Sequence, residues 1–394
     1  MDRRTGPVLV AFPFCLDRVG HGNIQRILAI GRYLASKGDV VDVVYQGRPG
    51  VAKVEGQYRA FRRVFTAEGG PPPSDAIEVA NRLAAFYGDR ELPRQDMRPS
   101  ARFTTLVRSL IDAEPYAAVI STYAFTAPIF AGLSRRVLTV CDVQDVIHEH
   151  ADACQRATGQ PGDFTMSEAT ETFLWRQWDV LVAITPRDEA RIRRDILPHQ
   201  HLMSAGHAVP CASDAAPGMD DVAFYAGSRN ESNVQAVTWF LERVWPLVRR
   251  ARPAAQLRLA GLICAALPEG LRQTPGVELL GFQSDVSGEL ARCGVLVAPY
   301  LYGSGLKIKV VEAACAGKAI LTTSAGLAGT GLERGRAIEA HDDPERLADA
   351  LAGLLGDRRR REALGEHALA RASAHFTEEA CYASIKFAIQ TCGA

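Results

Sequence analysis

The stretch Val295-Leu296-Val297-Ala298-Pro299-Tyr300-Leu301-Tyr302-Gly303-Ser304-Gly305-Leu306-Lys307-Ile308-Lys309-Val310-Val311-Glu312-Ala313-Ala314-Cys315-Ala316-Gly317-Lys318-Ala319-Ile320-Leu321-Thr322 holds a complete strand–loop–helix–strand unit. Residues 295–298 are a short apolar run closed by Pro299, as expected of a buried strand. The spacing predicts a helix over 306–316, a left-handed stop at Gly317, and a second strand over 319–322. Strand, helix and strand in this order imply two parallel strands with the helix laid on one face.

The loop of this unit carries the candidate chemistry. Gly303 and Gly305 allow backbone to approach a ligand closely. A helix N-terminus presents unpaired N–H groups and a positive dipole end, which suits phosphate. Lys307 and Lys309 add positive charge there, and Glu312, three residues after Lys309, shares its helix face. A cation for a diphosphate and a carboxylate for ribose hydroxyls are what a sugar-nucleotide site needs. The same residues also read as an ordinary Gly-rich loop with a surface Lys–Glu pair, and mechanism alone does not separate the two readings.

Outward from this unit, strand and helix alternate almost throughout. Strands are expected at 8–14, 40–45, 118–122, 137–141 and 180–184. Between the first two, Ile24, Ile27, Leu28 and Leu34 fall at helical spacing over 23–37, with Gly38 as the stop. Residues 67–100, with Gly69-Gly70-Pro71-Pro72-Pro73, Pro93 and Pro99, read as a loop-rich insertion holding one helix near 76–87. Pro210, Ser213, Pro217 and Gly218 mark a linker over 209–220. The alternation then restarts with a strand at 222–226 and a helix over 233–249, opened by a Ser232-x-x-Gln235 capping box. Further strands are expected at 256–260, 277–281 and 337–339, and Asp343-Pro344 reads as a helix start. The expected organisation is therefore α/β: one Rossmann-like domain over 1–208, the linker, a second over 221–375, and a final helix over 376–394. Ligands of such folds bind at the carboxyl ends of the strands, and a cleft between two facing domains is the default site.

Bulk properties limit the alternatives. The chain has 394 residues, with Lys+Arg and Asp+Glu both 45, so no net charge draws it to nucleic acid. Nine scattered cysteines without a Cys-x-x-Cys pair fit reduced thiols better than a disulfide framework. The N-terminal residues lack the long apolar region of a signal peptide, and no stretch approaches the roughly 20 apolar residues of a membrane span. The expected location is cytoplasmic; peripheral contact with the inner membrane is compatible with this reading.

The run from Gly303 to Ala313, continued by Cys315-Ala316-Gly317-Lys318-Ala319-Ile320, resembles the donor-site signature of retaining GT-B glycosyltransferases of family 4 type, the glycosyl transferases group 1, in a bacterial subgroup. Phe224-Tyr225-Ala226-Gly227-Ser228 is similar to their opening C-terminal strand, and Asn233 with Trp239-Phe240 to the helix that follows. Gly276-Val277-Glu278-Leu279-Leu280-Gly281-Phe282 resembles the strand and loop contacting the donor base. Asp342-Asp343-Pro344-Glu345-Arg346-Leu347-Ala348 fits a late helix start. In the N-terminal half, Gly20-His21-Gly22-Asn23 is similar to the family's glycine-rich turn near donor phosphates and acceptor, and Asp142-Val143-Gln144-Asp145-Val146-Ile147-His148 to a subgroup motif in the interdomain cleft.

The resemblance implies a GT-B fold and transfer of a sugar from a nucleoside-diphosphate sugar, with retention, in bacterial glycan, polysaccharide or glycoconjugate synthesis. By the same resemblance the first domain, over 1–208, binds an acceptor, the second, over 221–375, binds a nucleotide-sugar, and the last helix crosses back. It implies that Glu312 holds ribose hydroxyls, that Lys309 assisted by Lys307 reaches the diphosphate, and that Arg229 stands near the family's phosphate-binding arginine. Gly22, Asn23, Gly227, Gly281, Phe282, Gly303, Ser304, Gly305 and Leu306 complete the implied donor site, and His148 is a candidate at the reaction centre. No metal or other cofactor is required. The acceptor, whether glycan, lipid-linked, small molecule or protein, is not identified. Two departures stand out. Ser304 occupies the position of the family's first glutamate, and Arg229 is offset by one position with no clear lysine after it. A sugar-nucleotide 2-epimerase of the same fold and a non-catalytic sugar-nucleotide-binding partner subunit are the alternative functions.

Other features have plainer readings. His148, His150 and nearby acids could offer metal ligands, but ligand identity without distances is weak. The run Asp357-Arg358-Arg359-Arg360-Arg361-Glu362 reads as a solvated helix start, and Arg187, Arg191, Arg193 and Arg194 as a solvated helix face. Trp175 and Trp178 read as packing residues.

Overall fold

The structure is a computed structural model that describes residues 6–14, 22–47, 58–67, 76–90, 98–133, 136–160, 162, 165–215, 217–283 and 285–392. Gly20, His21, the glycine–proline run 69–73 and Pro93 lie outside the described residues. The chain divides into two compact units. The first comprises Met1–Ala151, Phe164–Gly206 and Cys381–Ala394, and the second Asp152–Asp163 and His207–Ala380.

The first unit is built on a seven-stranded sheet. Its strands are β1 (Val8–Phe12), β2 (Val41–Gln46), β3 (Arg63–Ala67), β4 (Ala118–Thr122), β5 (Leu138–Asp142), β6 (Val180–Ala183) and β7 (His201–Ser204). They lie in the order β3-β2-β1-β4-β5-β6-β7, and every neighbouring pair is parallel. Strands β1, β4, β5 and β6 are buried along their whole length, which is why the sequence shows them as continuous apolar runs. The order reverses between β1 and β4, a topological switch point.

The two edge strands are additions to the sequence reading. β3 opens on exposed residues and β7 is mostly half-buried, so neither needs an apolar run. The helix expected near 76–87 is present as Ala76–Tyr87, within the segment read as an insertion. Trp175 and Trp178 are buried, as expected of packing residues.

Charges inside this sheet are paired. Asp42 of β2 is buried and accepts from Arg62 Nε at 2.9 Å, from Arg63 Nη2 at 2.7 Å and from the Tyr116 hydroxyl at 2.7 Å. Burial alone raises its pKa, but the bonds from Arg62, Arg63 and Tyr116 outweigh that and hold it at about 2. An unfolded aspartate titrates near 3.9, so the native state gains stability from this carboxylate above that pH and loses it as pH falls toward 2. The arginines are partly exposed, so the gain is trimmed by solvent to about 1–2 kcal/mol. Replacing Asp42 with Asn therefore flattens the acid limb of stability between roughly pH 4 and 2, as measured by urea unfolding against pH.

Arg26 is buried and forms a fork on Asp142 at the end of β5, with Nε to Oδ1 at 2.9 Å and Nη2 to Oδ1 at 2.7 Å. The Gly206 carbonyl accepts from its Nη1, and Gln144, at φ 61°, donates from Nε2 to Asp142 Oδ2 at 3.0 Å. The Asp142 of the sequence motif is therefore held inside the fold of this unit. The helix Glu378–Thr391 lies against the helix Gly22–Ser36 through an edge-on contact of Tyr382 with Tyr33. Lys386 fastens it by bonds to the Lys37 carbonyl and Asp39.

The second unit carries a six-stranded sheet. Its strands are β8 (Met219–Ala226), β9 (Gln256–Ala260), β10 (Val277–Gly281), β11 (Cys293–Ala298), β12 (Ala319–Thr322) and β13 (Glu339–Ala340). The order is β10-β9-β8-β11-β12-β13, again parallel throughout, with the switch point between β8 and β11. Tyr225, Leu257, Leu259, Val295 and Val297 of the sheet pack with Phe240, Trp245, Leu351 and Leu354. Strand β8 starts two residues inside the expected linker.

Three local expectations are corrected. The single helix expected over 233–249 is an α-helix Glu231–Trp239, a π segment Phe240–Val244 and an α-helix Trp245–Ala251. Pro246 has no N–H and would clash with a carbonyl one turn back, so the ladder widens ahead of it. The cap is Asn230, whose side chain accepts from Asn233 N at 3.0 Å, in place of the Ser232–Gln235 box. Arg361 is buried, not solvated: its guanidinium donates to the carbonyls of Pro217, Leu354 and Leu355 and to Asp220.

Candidate functional site

The reversal of strand order in the second unit leaves a crevice position at the carboxyl ends of β8 and β11. The turn after β8 is Gly227-Ser228-Arg229, and the loop after β11 runs from Pro299 to Lys307. The helix Ile308–Cys315 then leads into β12, beginning two residues later than its apolar pattern suggests. Gly303 at φ 137° and Gly305 at φ 66° hold the loop in conformations that side chains with a Cβ rarely adopt.

The N-cap residue of the helix Ile308–Cys315, Lys307, makes no side-chain cap. In the same unit, the helices starting at Glu231, Val286, Ser324, Pro344 and Arg358 are capped by Asn230, Asp285, Thr323, Asp343 and Asp357. The side chain of Lys307, at the N-cap of the helix behind the glycine loop, does not take its N–H groups, and such an end suits an anion.

Lys309 stands in the first turn of that helix, half-buried, with Nζ 5.9 Å from the centre of the Tyr225 ring. Glu312 stands nearly one turn on, also half-buried. The surface Lys–Glu pair that the spacing allowed does not form: among the described residues no salt bridge involves Lys309 or Glu312. Loss of solvent raises the Glu312 pKa above the ordinary glutamate value, against the opposing charge of Lys309. A half-buried carboxylate without a hydrogen-bonding partner among the described residues is costly in an empty fold and useful to a ligand with hydroxyl groups.

Lys307 serves the loop. Its Nζ donates to the Ser304 carbonyl at 2.6 Å and lies 5.6 Å from the Tyr300 ring centre. Thr323 donates its hydroxyl to the Tyr300 carbonyl. Across the switch point, the Tyr225 hydroxyl donates to Asn233 Oδ1 at 2.9 Å, and Asn233 Nδ2 donates to the Ser228 carbonyl at 3.1 Å. Gly227 cannot carry a side chain here, because a Cβ would fall 2.7 Å from the Tyr225 ring. Arg229 is exposed on the turn. Leu306 is buried at the end of the loop.

Gly281, at φ 66°, ends β10, and the next residue, Phe282, leaves its ring 57% exposed to water. Leu262, after the neighbouring β9, is also exposed. The second unit therefore gathers Gly227, Arg229, Gly281, Phe282, Gly303, Ser304, Gly305, Leu306, Lys307, Lys309 and Glu312 at one edge of one sheet.

Gly22, Asn23 and His148 belong to the first unit. Gly22 opens the helix Gly22–Ser36, and Asn23 accepts from Ile24 N at 2.9 Å and bonds to the buried Tyr123 hydroxyl. His148 is buried, with Nδ1 2.7 Å from Glu171 Oε2 and Nε2 3.1 Å from the Arg191 guanidinium. Glu171 also accepts from the backbone N–H groups of Ile147 and His148, so it caps the helix Ile147–Thr158. Burial lowers the His148 pKa, but the Glu171 bond and charge turn the shift upward. Arg191, read as solvated, is mostly buried and pairs with Glu168, Glu149 and Asp195. Among the described residues no group of three His, Cys, Asp or Glu side chains is placed to hold a metal. No helix among them is long and apolar enough to cross a membrane.

Residues missed in the sequence reading are Tyr225, Tyr300, Tyr302 and Gln235, the frame around the charged groups. Tyr300 and Tyr302 adjoin Gly303, and this aromatic spacing next to a glycine loop was the available signal.

Comparison with solved structures gives the fold its class. A sucrose-phosphate synthase from Thermosynechococcus elongatus superposes with a TM-score of 0.74 at 15% identity, covering 98% of each chain. Alr3699/HepE of Anabaena, in complex with UDP and glucose, gives a TM-score of 0.68 at 14% identity, covering 98% of this chain and 99% of that one. The fold is GT-B. Within it, residues 220–357 match the family model Glycosyl transferases group 1, which takes in the glycine loop, Lys309 and Glu312. An uncharacterized 44.6 kDa protein in the cps region of Klebsiella pneumoniae is 27% identical over 120 residues, so the chain spans about a third, 31%, of the length of that curated relative. The GT-B assignment accounts for the two Rossmann-like units, each with its own switch point.

Proposed function

We propose that this chain is a glycosyltransferase that takes its sugar from a nucleoside-diphosphate sugar held by the second unit. The observation that carries the reading is the helix Ile308–Cys315: its N-cap residue makes no side-chain cap, and it presents Lys309 and a half-buried Glu312, unpaired among the described residues, beside the glycine loop. The match of residues 220–357 to Glycosyl transferases group 1 and the UDP and glucose bound by Alr3699/HepE support it.

In this reading Glu312 accepts hydrogen bonds from ribose hydroxyls. The open helix end and Lys309 meet the diphosphate, Arg229 supplies further positive charge from its turn, and Phe282 offers a face to the base. As the bond from sugar to diphosphate breaks, negative charge grows on the leaving oxygen, where the fixed dipole and the ammonium group already stand. Transfer with retention, the family 4 relationship, a cofactor-free reaction and a role in bacterial glycan or polysaccharide synthesis are the finer parts of the proposal.

The test is release of nucleoside diphosphate from a panel of sugar nucleotides, with Glu312→Gln beside the wild type. Loss of a charge-assisted bond of about 1.5–3 kcal/mol predicts a fall in kcat/KM of roughly 10- to 150-fold. The raised pKa adds a sign: the ionised carboxylate disfavours the empty fold at neutral pH, and this cost disappears as pH falls below its pKa. Glu312→Gln is therefore expected to raise the Tm of the unliganded protein near pH 7 while weakening nucleotide binding. A variant that binds and turns over like the wild type contradicts the ribose role.

A further inference from the structure

The glycine loop is held at its base by a side-chain hydrogen bond that the proposed chemistry does not use. The Tyr302 hydroxyl donates to Gln235 Oε1 at 2.7 Å, and Gln235 Nε2 donates to Glu231 Oε1 at 2.8 Å. Tyr302 is buried and directly precedes Gly303. Gln235 and Glu231 lie on one face of the helix Glu231–Trp239, four residues apart. Two residues before Gln235, Asn233 ties down Tyr225 and Ser228. The first two turns of this helix thus grip both segments that flank the switch point: the end of β8 through Asn233, and the loop after β11 through Gln235.

Gln235 is suited to this task because the Asn230 cap leaves its side chain outside the helix end. An amide can accept from Tyr302 and donate to Glu231 at once, which fixes its orientation. The loop beyond Tyr302 contains two glycines with positive φ, so it has little stiffness of its own. We propose that Gln235 is a positioning residue for the nucleotide site: by holding Tyr302 it sets where the backbone of 303–307 and the following helix end stand. This rests on the glycosyltransferase reading for its consequence, but the restraint on the loop belongs to the unliganded chain.

The test uses the full chain with Gln235→Met, Tyr302→Phe, and the exchanged pair Glu231→Gln with Gln235→Glu. In the exchanged pair the glutamate at 235 still accepts from Tyr302, and the glutamine at 231 donates to it. Amide hydrogen exchange of 303–309 is read without ligand, and the Kd of uridine diphosphate is read by calorimetry. Loss of one such bond predicts roughly 2- to 10-fold faster exchange in the loop for both single variants, with Kd raised by a similar factor. The exchanged pair is expected to return both readings toward the wild type, which a loss of general packing would not do. Unchanged loop exchange in both single variants, or an exchanged pair that behaves like Gln235→Met, overturns the proposal. A wild type that does not bind uridine diphosphate counts against that nucleotide as the site's ligand, while the exchange readings still decide the role of Gln235.

Discussion

Replacing Lys309 with alanine is expected to lower the rate of sugar transfer by roughly 10²–10³-fold, the usual loss when one preorganised stabiliser of a growing negative charge is removed. The ammonium group is in the first turn of a helix whose N-cap residue makes no side-chain cap, where the dipole reinforces it. Its contact with the Tyr225 ring holds it without neutralising it, and Tyr225 is fixed in turn by Asn233. Because no salt bridge within the described residues is broken, the Tm of Lys309→Ala should stay close to that of the wild type. Steady-state release of nucleoside diphosphate measures the effect. Lys309→Arg keeps the charge but changes its reach and geometry, so it should retain part of the rate. A Lys309→Ala enzyme within about threefold of the wild type would remove this charge from the mechanism, since a group aimed at the leaving diphosphate cannot be lost so cheaply.

The second large effect is on folding. Asp142→Ala is expected to destabilise the first unit by about 3–5 kcal/mol, because it leaves the Arg26 guanidinium buried without its carboxylate. Gln144 and the Gly206 carbonyl remain near the vacated place but carry no full negative charge. Urea unfolding followed by circular dichroism measures the loss as a fall in midpoint. Removing both charges, with Arg26→Met and Asp142→Leu together, is expected to recover a large share, since the cost lies in the unpaired ion more than in the absent pair. Equal stability of Asp142→Ala and the wild type would mean that the pair contributes nothing, contrary to its burial and fork geometry.

Much of this architecture is legible in the sequence because parallel sheets bury their central strands on both faces. Residues 118–122, 256–260 and 319–322 are read from apolar runs and appear as strands at those bounds. The edge strands β3 and β7 escape such a reading because water wets them: β3 opens with Arg63, whose partner Asp42 is on the next strand and far from it along the chain. The helix break at Phe240–Val244 has its cause in Pro246, which a pattern of apolar spacing passes over. Arg361 looks solvated within a run of four arginines, and only the fold shows the carbonyls of Pro217 and Leu354 that surround it.

The candidate site shows the same division. Glycines, lysines and the glutamate from 303 to 312 are adjacent in sequence, so their joint placement at a loop and helix start is readable. Their states are not. That Glu312 lacks an ionic partner among the described residues while Lys307 bonds to the Ser304 carbonyl depends on side-chain positions around Tyr225 and Tyr300. The helix pairing of Gln235 with Tyr302 joins residues 67 positions apart, and spacing rules for single helices cannot reach it.

The central claim is that the second unit binds a nucleoside diphosphate through Lys309, Glu312 and the helix end beside the glycine loop. It is tested most directly by calorimetric titration of uridine, thymidine, guanosine, adenosine and cytidine diphosphates into the wild type and Glu312→Gln proteins. The account predicts saturable binding of at least one diphosphate to the wild type, with Kd raised roughly 10- to 150-fold in Glu312→Gln. Binding by none of the five, or equal binding by both proteins, would contradict it.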